Sequence, residues 1–392
     1  MAGEFDLVFE GGGAKGTVFV GALRAFEERG HTARRLVGTS AGAIAATLLA
    51  GGYKAAPAPG EEVSEFERAA LETDANGRPV FEGFMDIPSA ESLMDDPAVL
   101  AESLTQRIFQ VVDFPGIPDF AEKMMDRWLI RQLMKIAAYR ELFSFIELGG
   151  LYAGVRFRDW IRSKLALKGL DGLTLKQFFD KTGKDLSLLV TDTTAHELRV
   201  LNHRTAPACP VDMAVRMSMS IPFVFQEVAW NRGWGPYQEK GKPVEDLAGH
   251  TMVDGGALSN FPLHLVTSND TAVEAVMGDV SADAAGTMGL LIDETLPVDD
   301  CGSPSDDCED DEKDGLLGDR RRLKSIKRVT RLINTMMEAH DKQVIEAHAD
   351  VVCRLPAKGY GTTEFDMSDR RKDALIQAGR RAMEAHLDQR GL

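Results

Sequence analysis

The chain is poor in cysteine, with four in 392 residues. Cys209, Cys301, Cys308 and Cys353 make no C-x-x-C pair, so the usual signature of a zinc or redox site is missing. A chain this long buries enough surface to stand without cross-links. The thiols read as reduced, a Cys301–Cys308 bridge being open only in an oxidising compartment. Basic charge is short too. Against 61 Asp and Glu stand 45 Lys and Arg, a net charge of −16. Nucleic-acid binding calls for a basic footprint, which argues against such a partner. There is no long apolar run. The longest small and apolar stretch, 41–52, is shorter than the roughly 20 residues of a membrane span. The opening Met-Ala-Gly-Glu-Phe-Asp lacks a basic region followed by an apolar one, so no secretory signal is expected. These absences predict a soluble or peripheral protein, expected in the cytoplasm, with export by a route without a signal peptide left open.

What is present is an ordinary globular composition, 44% apolar and 27% charged. It excludes a disordered, collagenous or coiled-coil chain as the main state. The acidic excess is concentrated: residues 293–314 hold eleven Asp or Glu and one Lys.

Leu7-Val8-Phe9 predicts a short buried strand. Residues 17–29 predict a helix with Val18, Ala22, Leu23 and Phe26 on one face, ended by Gly30. Leu36-Val37-Gly38 predicts a second strand, and 41–49 a nearly all-apolar helix stopped by Gly51-Gly52. This β-turn-α-β-turn-α rhythm argues for α/β architecture, with a mainly parallel central sheet and helices on its faces. Residues 53–80, rich in Ala, Pro, Gly and Glu, read as a flexible insertion. Residues 81–165 read as helical and rich in Met and Phe. Strand patterns return at 186–191, 198–201 and 250–253, and a helix at 212–220. The end of the chain reads as a long helix, a turn segment at 356–361 and a last helix. The expected organisation is a catalytic domain at 1–280 with a helical, cap-like insertion at about 54–165. An acidic flexible loop follows at 281–319, then a helical C-terminal region at 320–392 packed on the domain.

Gly38-Thr39-Ser40-Ala41-Gly42 fits G-x-S-x-G between a strand and a helix. A serine on such a sharp turn is lifted clear of the sheet, and Gly38 and Gly42 remove side chains that would clash. The helix N-terminus beneath it favours developing negative charge. At the preceding strand-to-helix turn, Gly11-Gly12-Gly13-Ala14-Lys15-Gly16 lets backbone N–H groups point into one cavity. Strands of a parallel sheet end at one edge, so the two turns can face each other. Ser40 as nucleophile, with the N–H groups of Gly12, Gly13 and Ala41 as oxyanion donors, makes an acyl-transfer site. The glycine string also fits G-x-G-x-x-G, but no acid closes the second strand, where a dinucleotide site needs one for the ribose.

A base is needed. The late histidines His264, His340, His348 and His386 sit in no Gly-rich loop after a strand. Asp254 follows the apolar Thr251-Met252-Val253 and precedes Gly255-Gly256, which places it best at the sheet edge. Burial beside the serine would lift its pKa from about 4 toward neutrality.

With these three motifs in this order, the chain resembles the patatin-like phospholipase family. Ser218-Met219-Ser220-Ile221-Pro222 and Asn260-Phe261-Pro262 are further echoes. The resemblance covers about 5–53 and 185–280. It implies a three-layer α/β/α fold and a Ser40–Asp254 dyad without histidine. The implied oxyanion loop is Gly11, Gly12 and Gly13 with Ala41, supported by Ala14, Lys15, Gly16, Gly38, Gly42, Gly255 and Gly256. The implied activity is hydrolysis of fatty-acyl esters of phospholipid or lysophospholipid through an acyl-enzyme, with no metal, calcium or other cofactor. Lys15 stands where the family often has Arg. It keeps the charge but loses the bidentate fork for a head-group phosphate. Alternatives are a carboxylesterase acting on neutral lipids or short-chain esters, and an activator-dependent effector or regulatory lipid-binding protein that needs a protein or small molecule. The Met- and Phe-rich region 81–152 reads as a cap over an acyl chain. The basic stretch 320–331 reads first as a solvated helix face and second as a contact with anionic lipid. The acidic 299–314 does not fit a calcium loop.

Overall fold

The computed structural model describes residues 2–94, 128–278, 286–299, 347–362, 364 and 367–392. Cys301, Cys308, Met124, Met125, the acidic stretch from 300 and the basic stretch 320–331 lie outside the described residues.

The chain opens with β1 (Glu4–Phe9), α1 (Val18–Glu28), β2 (Thr32–Gly38) and α2 (Ala41–Ala50). Next come α3 (Glu65–Ala70), α4 (Ala137–Glu147), β3 (Gly150–Tyr152), α5 (Val155–Leu167) and α6 (Leu175–Thr182). β4 (Asp185–Asp192), β5 (Glu197–Leu201), α7 (Val211–Ser218), β6 (Phe223–Phe225), β7 (Val228–Ala229), β8 (Thr251–Asp254) and α8 (Thr271–Met277) follow. β9 (Thr287–Pro297), β10 (Val352–Lys358) and α9 (Asp369–Arg390) come last.

The central sheet has the order β10-β9-β1-β2-β4-β8-β7, with β5 also paired to β4. From β10 to β4 every pair is parallel. β8 runs antiparallel to both β4 and β7, and β5 antiparallel to β4. The strands are apolar on both sides because both sides are covered. Leu7, Phe9, Leu36, Leu188, Val190, Leu290 and Leu355 enter one core, together with residues of α1, α2, α5, α7 and α9. Val8, Val37, Leu189, Leu291 and Val352 enter the other, with Phe261, Leu263, Val273 and Met277. Alternation along each strand thus divides the protein into three layers.

Several expectations are corrected. Residues 53–80 are not a loose insertion: Tyr53, Ala55, Phe66 and Ala69 are buried in the larger core, and Ser64 caps α3 by accepting the Glu67 N–H at 3.0 Å. The insertion does not run intact to 165. Phe157, Trp160, Ile161 and Leu165 of α5 belong to the larger core, whereas Leu93, Ile130, Met134 and Phe143 form a small cluster of their own. Nor does the sheet stop at 280. The apolar Met288 to Ile292 make β9 a central strand, and only its end carries Asp293 and Glu294. The first half of the supposed turn at 356–361 is the end of strand β10, with Ala357 buried.

Candidate active site

The site lies where β1 and β2 give way to their helices. Ser40 follows β2 and has φ 53° and ψ −122°, a conformation sparsely populated by non-glycine residues and costing about 1–3 kcal/mol. Close packing holds it there. A Cβ on Gly38 would fall 2.3 Å from the Gly42 carbonyl oxygen, and one on Gly42 would fall 2.5 Å from that of Phe9. Ser40 is buried, and its N–H donates to Ser218 Oγ at 3.2 Å.

Asp254 ends β8. Gly38 pairs with Leu188 of β4, and Asp254 pairs with Val190 of the same strand. The carboxyl therefore stands two residues beyond Gly38, at the level of Ser40. It is buried, and burial pushes its pKa up to about 7. The Gly256 N–H, donated to Oδ1 at 2.8 Å, and the nearby Ser40 hydroxyl pull the other way. Oδ2 has no hydrogen bond of ordinary geometry among the described residues. The Ser40 hydroxyl stands near enough to act on the carboxyl without completing a hydrogen bond to Oδ2.

The last residue of α7 and the segment that follows tie both residues together. Ser218 accepts from Ser40, and two residues on, the Ser220 carbonyl accepts the Asp254 N–H at 2.9 Å. Arg216 braces this segment from inside the protein. Its guanidinium donates to Ser220 Oγ, to Ala153 O at 2.8 Å and to Gln226 O at 3.0 Å. Burial lowers its pKa to about 10, so it stays charged at neutral pH.

The Gly-rich turn is latched from two sides. Asn260 Nδ2 donates to Gly11 O at 2.9 Å and to Glu10 Oε1 at 3.2 Å, and Glu10 Oε2 accepts the Ile292 N–H at 2.6 Å. The Gly11 N–H donates to Asn260 O at 3.0 Å, so Gly11 leaves the expected donor set. Ala14 N–H donates to Thr362 O at 2.9 Å. Gly13 has φ +55°, and a Cβ there would lie 2.1 Å from Thr362 O, so both backbone shape and contact demand glycine. The N–H groups of Gly12, Gly13 and Ala41 donate to no protein acceptor among the described residues. Gly16 lies against Ala41, and Gly255 against the Leu189 backbone. Lys15 is buried with its ammonium on Glu294, and it is not among the described residues lining the cleft beside Ser40.

That cleft runs between α1, α2 and α3 and holds about 960 Å³ counted to its open mouth. Gly13, Ser40 and Ala41 stand with Val20, Ile44, Leu48, Phe66, Phe84 and Ile221 along its mostly apolar wall. Phe66, Ala70, Leu71, Glu72 and Pro79, within the 53–80 stretch read from sequence as a flexible insertion, supply much of that wall, with Phe81 and Phe84 beside them. Among the late histidines, His386 lies on α9, where burial lowers its pKa to about 4, and His340 is outside the described residues.

Sequence motifs named the flanking Ser-Met-Ser and Asn-Phe-Pro strings but not their work. Arg216, Glu10 and Thr362 lie in no motif. A charged residue in the apolar setting of α7 was the signal available for Arg216. No helix among the described residues is long and apolar enough to cross a membrane.

The chain is 27% identical over 391 residues to the uncharacterized protein YqhO of Bacillus subtilis, covering 98% of each. A 118-residue stretch, 30% of this chain and 35% of the other, is 23% identical to the probable lipid hydrolase 463L of Invertebrate iridescent virus 6. Among solved structures, VipD from Legionella pneumophila aligns over 99% of this chain and 67% of its own, with a TM-score of 0.42 and 17% identity. The family model of patatin-like phospholipases matches residues 7–267. The chain belongs to the patatin-like phospholipase family and is a lipid acyl hydrolase.

Proposed function

We propose that the chain releases fatty acids from glycerophospholipids or lysophospholipids through a Ser40–Asp254 dyad, without calcium. The observation that carries this reading is the buried Asp254 carboxyl, with a pKa of about 7, beside Ser40 at an apolar cleft. A base is most effective when its pKa lies near the working pH.

In this reading Asp254 takes the Ser40 proton as Oγ attacks the ester carbonyl carbon. The oxyanion is held by the N–H groups of Gly12, Gly13 and Ala41. Asp254 returns the proton to the departing glycerol oxygen, leaving an acyl group on Ser40. Water then gives a proton to Asp254 and attacks the acyl carbon. The fatty acid leaves as Ser40 regains its proton. The acyl chain lies along the apolar wall, whose burial favours it by roughly 0.8 kcal/mol per methylene.

Fatty-acid release from mixed phospholipid vesicles in EGTA tests this. Wild type is expected to release fatty acid, and Ser40→Ala and Asp254→Asn to fall to background. Strict calcium dependence, or full activity in either variant, contradicts the reading. Cleavage of p-nitrophenyl butyrate without phospholipid turnover points to the carboxylesterase instead.

A further inference from the structure

Lys15, the cation of the Gly-rich loop, is committed to Glu294. A different cation lines the cleft. Lys372, on the first turn of α9, is the one Lys or Arg among its described lining residues. Two acids share the lining, and both are engaged elsewhere. Glu72 Oε2 accepts from Lys164 Nζ at 2.7 Å and from Trp160 Nε1 at 2.7 Å. Glu364 accepts from Arg371 at 2.8 Å and from the Gly361 N–H at 2.8 Å. Lys372 pairs with Asp369 at 3.1 Å, but the Asp369 side chain is 96% exposed. A pair whose acid stands in solvent is weak, so the ammonium is readily redirected.

Its position is fixed by the helix that carries it. α1 and α9 run in the same direction: Gly21 meets the Ile376 carbonyl, Glu28 meets Arg380, and Arg29 meets Asp388. A Cβ on Gly21 would lie 1.8 Å from Ile376 O, and one on Gly379 would lie 2.1 Å from Val18 O. Backbones packed this closely leave little room to slide. Lys372 stands one turn before Ile376. It thus reaches back toward the start of α1, where Thr17, Val20 and the Gly-rich loop also face the cleft.

We propose that Lys372 recognises the phosphate of the substrate head group and favours phosphate-bearing esters over neutral ones. The proposal rests on the ester-hydrolase reading of Ser40 and deepens it. The described wall is otherwise mostly apolar and suits any acyl chain, so the one cation among its described residues is the feature that tells a phosphate-bearing head from a neutral one. A charge-assisted contact of this kind is worth about 1.5–3 kcal/mol, or roughly 10- to 100-fold in kcat/KM.

The test compares dihexanoylphosphatidylcholine, below its micellar concentration, with dihexanoylglycerol. Lys372→Gln is expected to lower the phospholipid-to-neutral ratio of kcat/KM about tenfold or more, and Lys372→Arg to restore most of it. An unchanged ratio, whether both rates fall together or neither falls, overturns the proposal. If the anion met by Lys372 were the released carboxylate, hexanoate inhibition would weaken in the Gln variant while the ratio stayed constant, which also overturns it. Wild-type turnover of neither ester contradicts the reading of Ser40 itself. Turnover of the neutral ester alone contradicts the choice of phospholipid substrate.

Discussion

Asp254 reaches Ser40 because β8 runs antiparallel to β4. Its pairing with Val190 puts the carboxyl beside a turn that leaves the sheet two residues after the Gly38–Leu188 pair. A parallel strand would deliver an acid beyond its C-terminal end, as β2 delivers Ser40. Here two strands of opposite direction bring the Ser40 turn and the Asp254 carboxyl to one level from the two sides of β4. The end of α7 and the segment after it then fix both, through Ser218 on Ser40 and Ser220 on Asp254.

Ser218→Ala removes the acceptor for the Ser40 N–H. Leaving that buried donor unpaired costs about 1–3 kcal/mol and loosens a strained turn. We expect a roughly tenfold loss of kcat with KM little changed, since the ester pocket is untouched. Steady-state kinetics on a soluble ester decides it. An unchanged kcat would show that the elbow holds Ser40 without this contact.

Asp254→Asn should gain stability while losing activity. The folded carboxyl has a pKa of about 7, against about 4 in an unfolded chain. Between those values the native state holds a proton that the unfolded state has released, so stability falls as pH rises through this window. The Asn variant escapes that loss. Denaturant melts should show it more stable than wild type at pH 8, by on the order of 1–4 kcal/mol, with the gap closing toward pH 4. A gap independent of pH would mean that the carboxyl is not destabilised by its burial.

Arg216→Met leaves Ser220, Ala153 and Gln226 without the donor they share. We expect a loss of about 2–5 kcal/mol in urea unfolding, because buried acceptors are stranded. Arg216→Lys should recover only part of it, an ammonium being unable to span three acceptors as a planar fork does. A Met variant as stable as wild type would contradict the bracing role.

The two glycine turns were legible because each is local: a short apolar strand, small residues, then an apolar helix. Asp254 was legible for the same reason. The direction of β8 was not, since a run such as Thr251 to Val253 carries no sign of which way it pairs. β9 was hidden by its neighbours, because an acid count that starts at Asp293 absorbs the end of a strand whose body is Met288 to Ile292. Residues 53–80 looked loose by composition, yet long-range packing of Tyr53 and Phe66 orders them, and no local pattern reports that. Lys372 could be seen as charged but not as cleft-lining, which depends on how closely Gly21 and Gly379 let two distant helices approach.

The dyad is tested most directly by the rate at which a fluorophosphonate labels Ser40, followed by intact-protein mass spectrometry across pH. The account predicts a single modification, absent in Ser40→Ala. Its rate should rise through one ionisation near the Asp254 pKa of about 7 and then level off. Asp254→Asn should label at least about 100-fold more slowly, with that ionisation gone. Labelling of Asp254→Asn at a near-normal rate, with the same pH profile, would show that another group takes the proton.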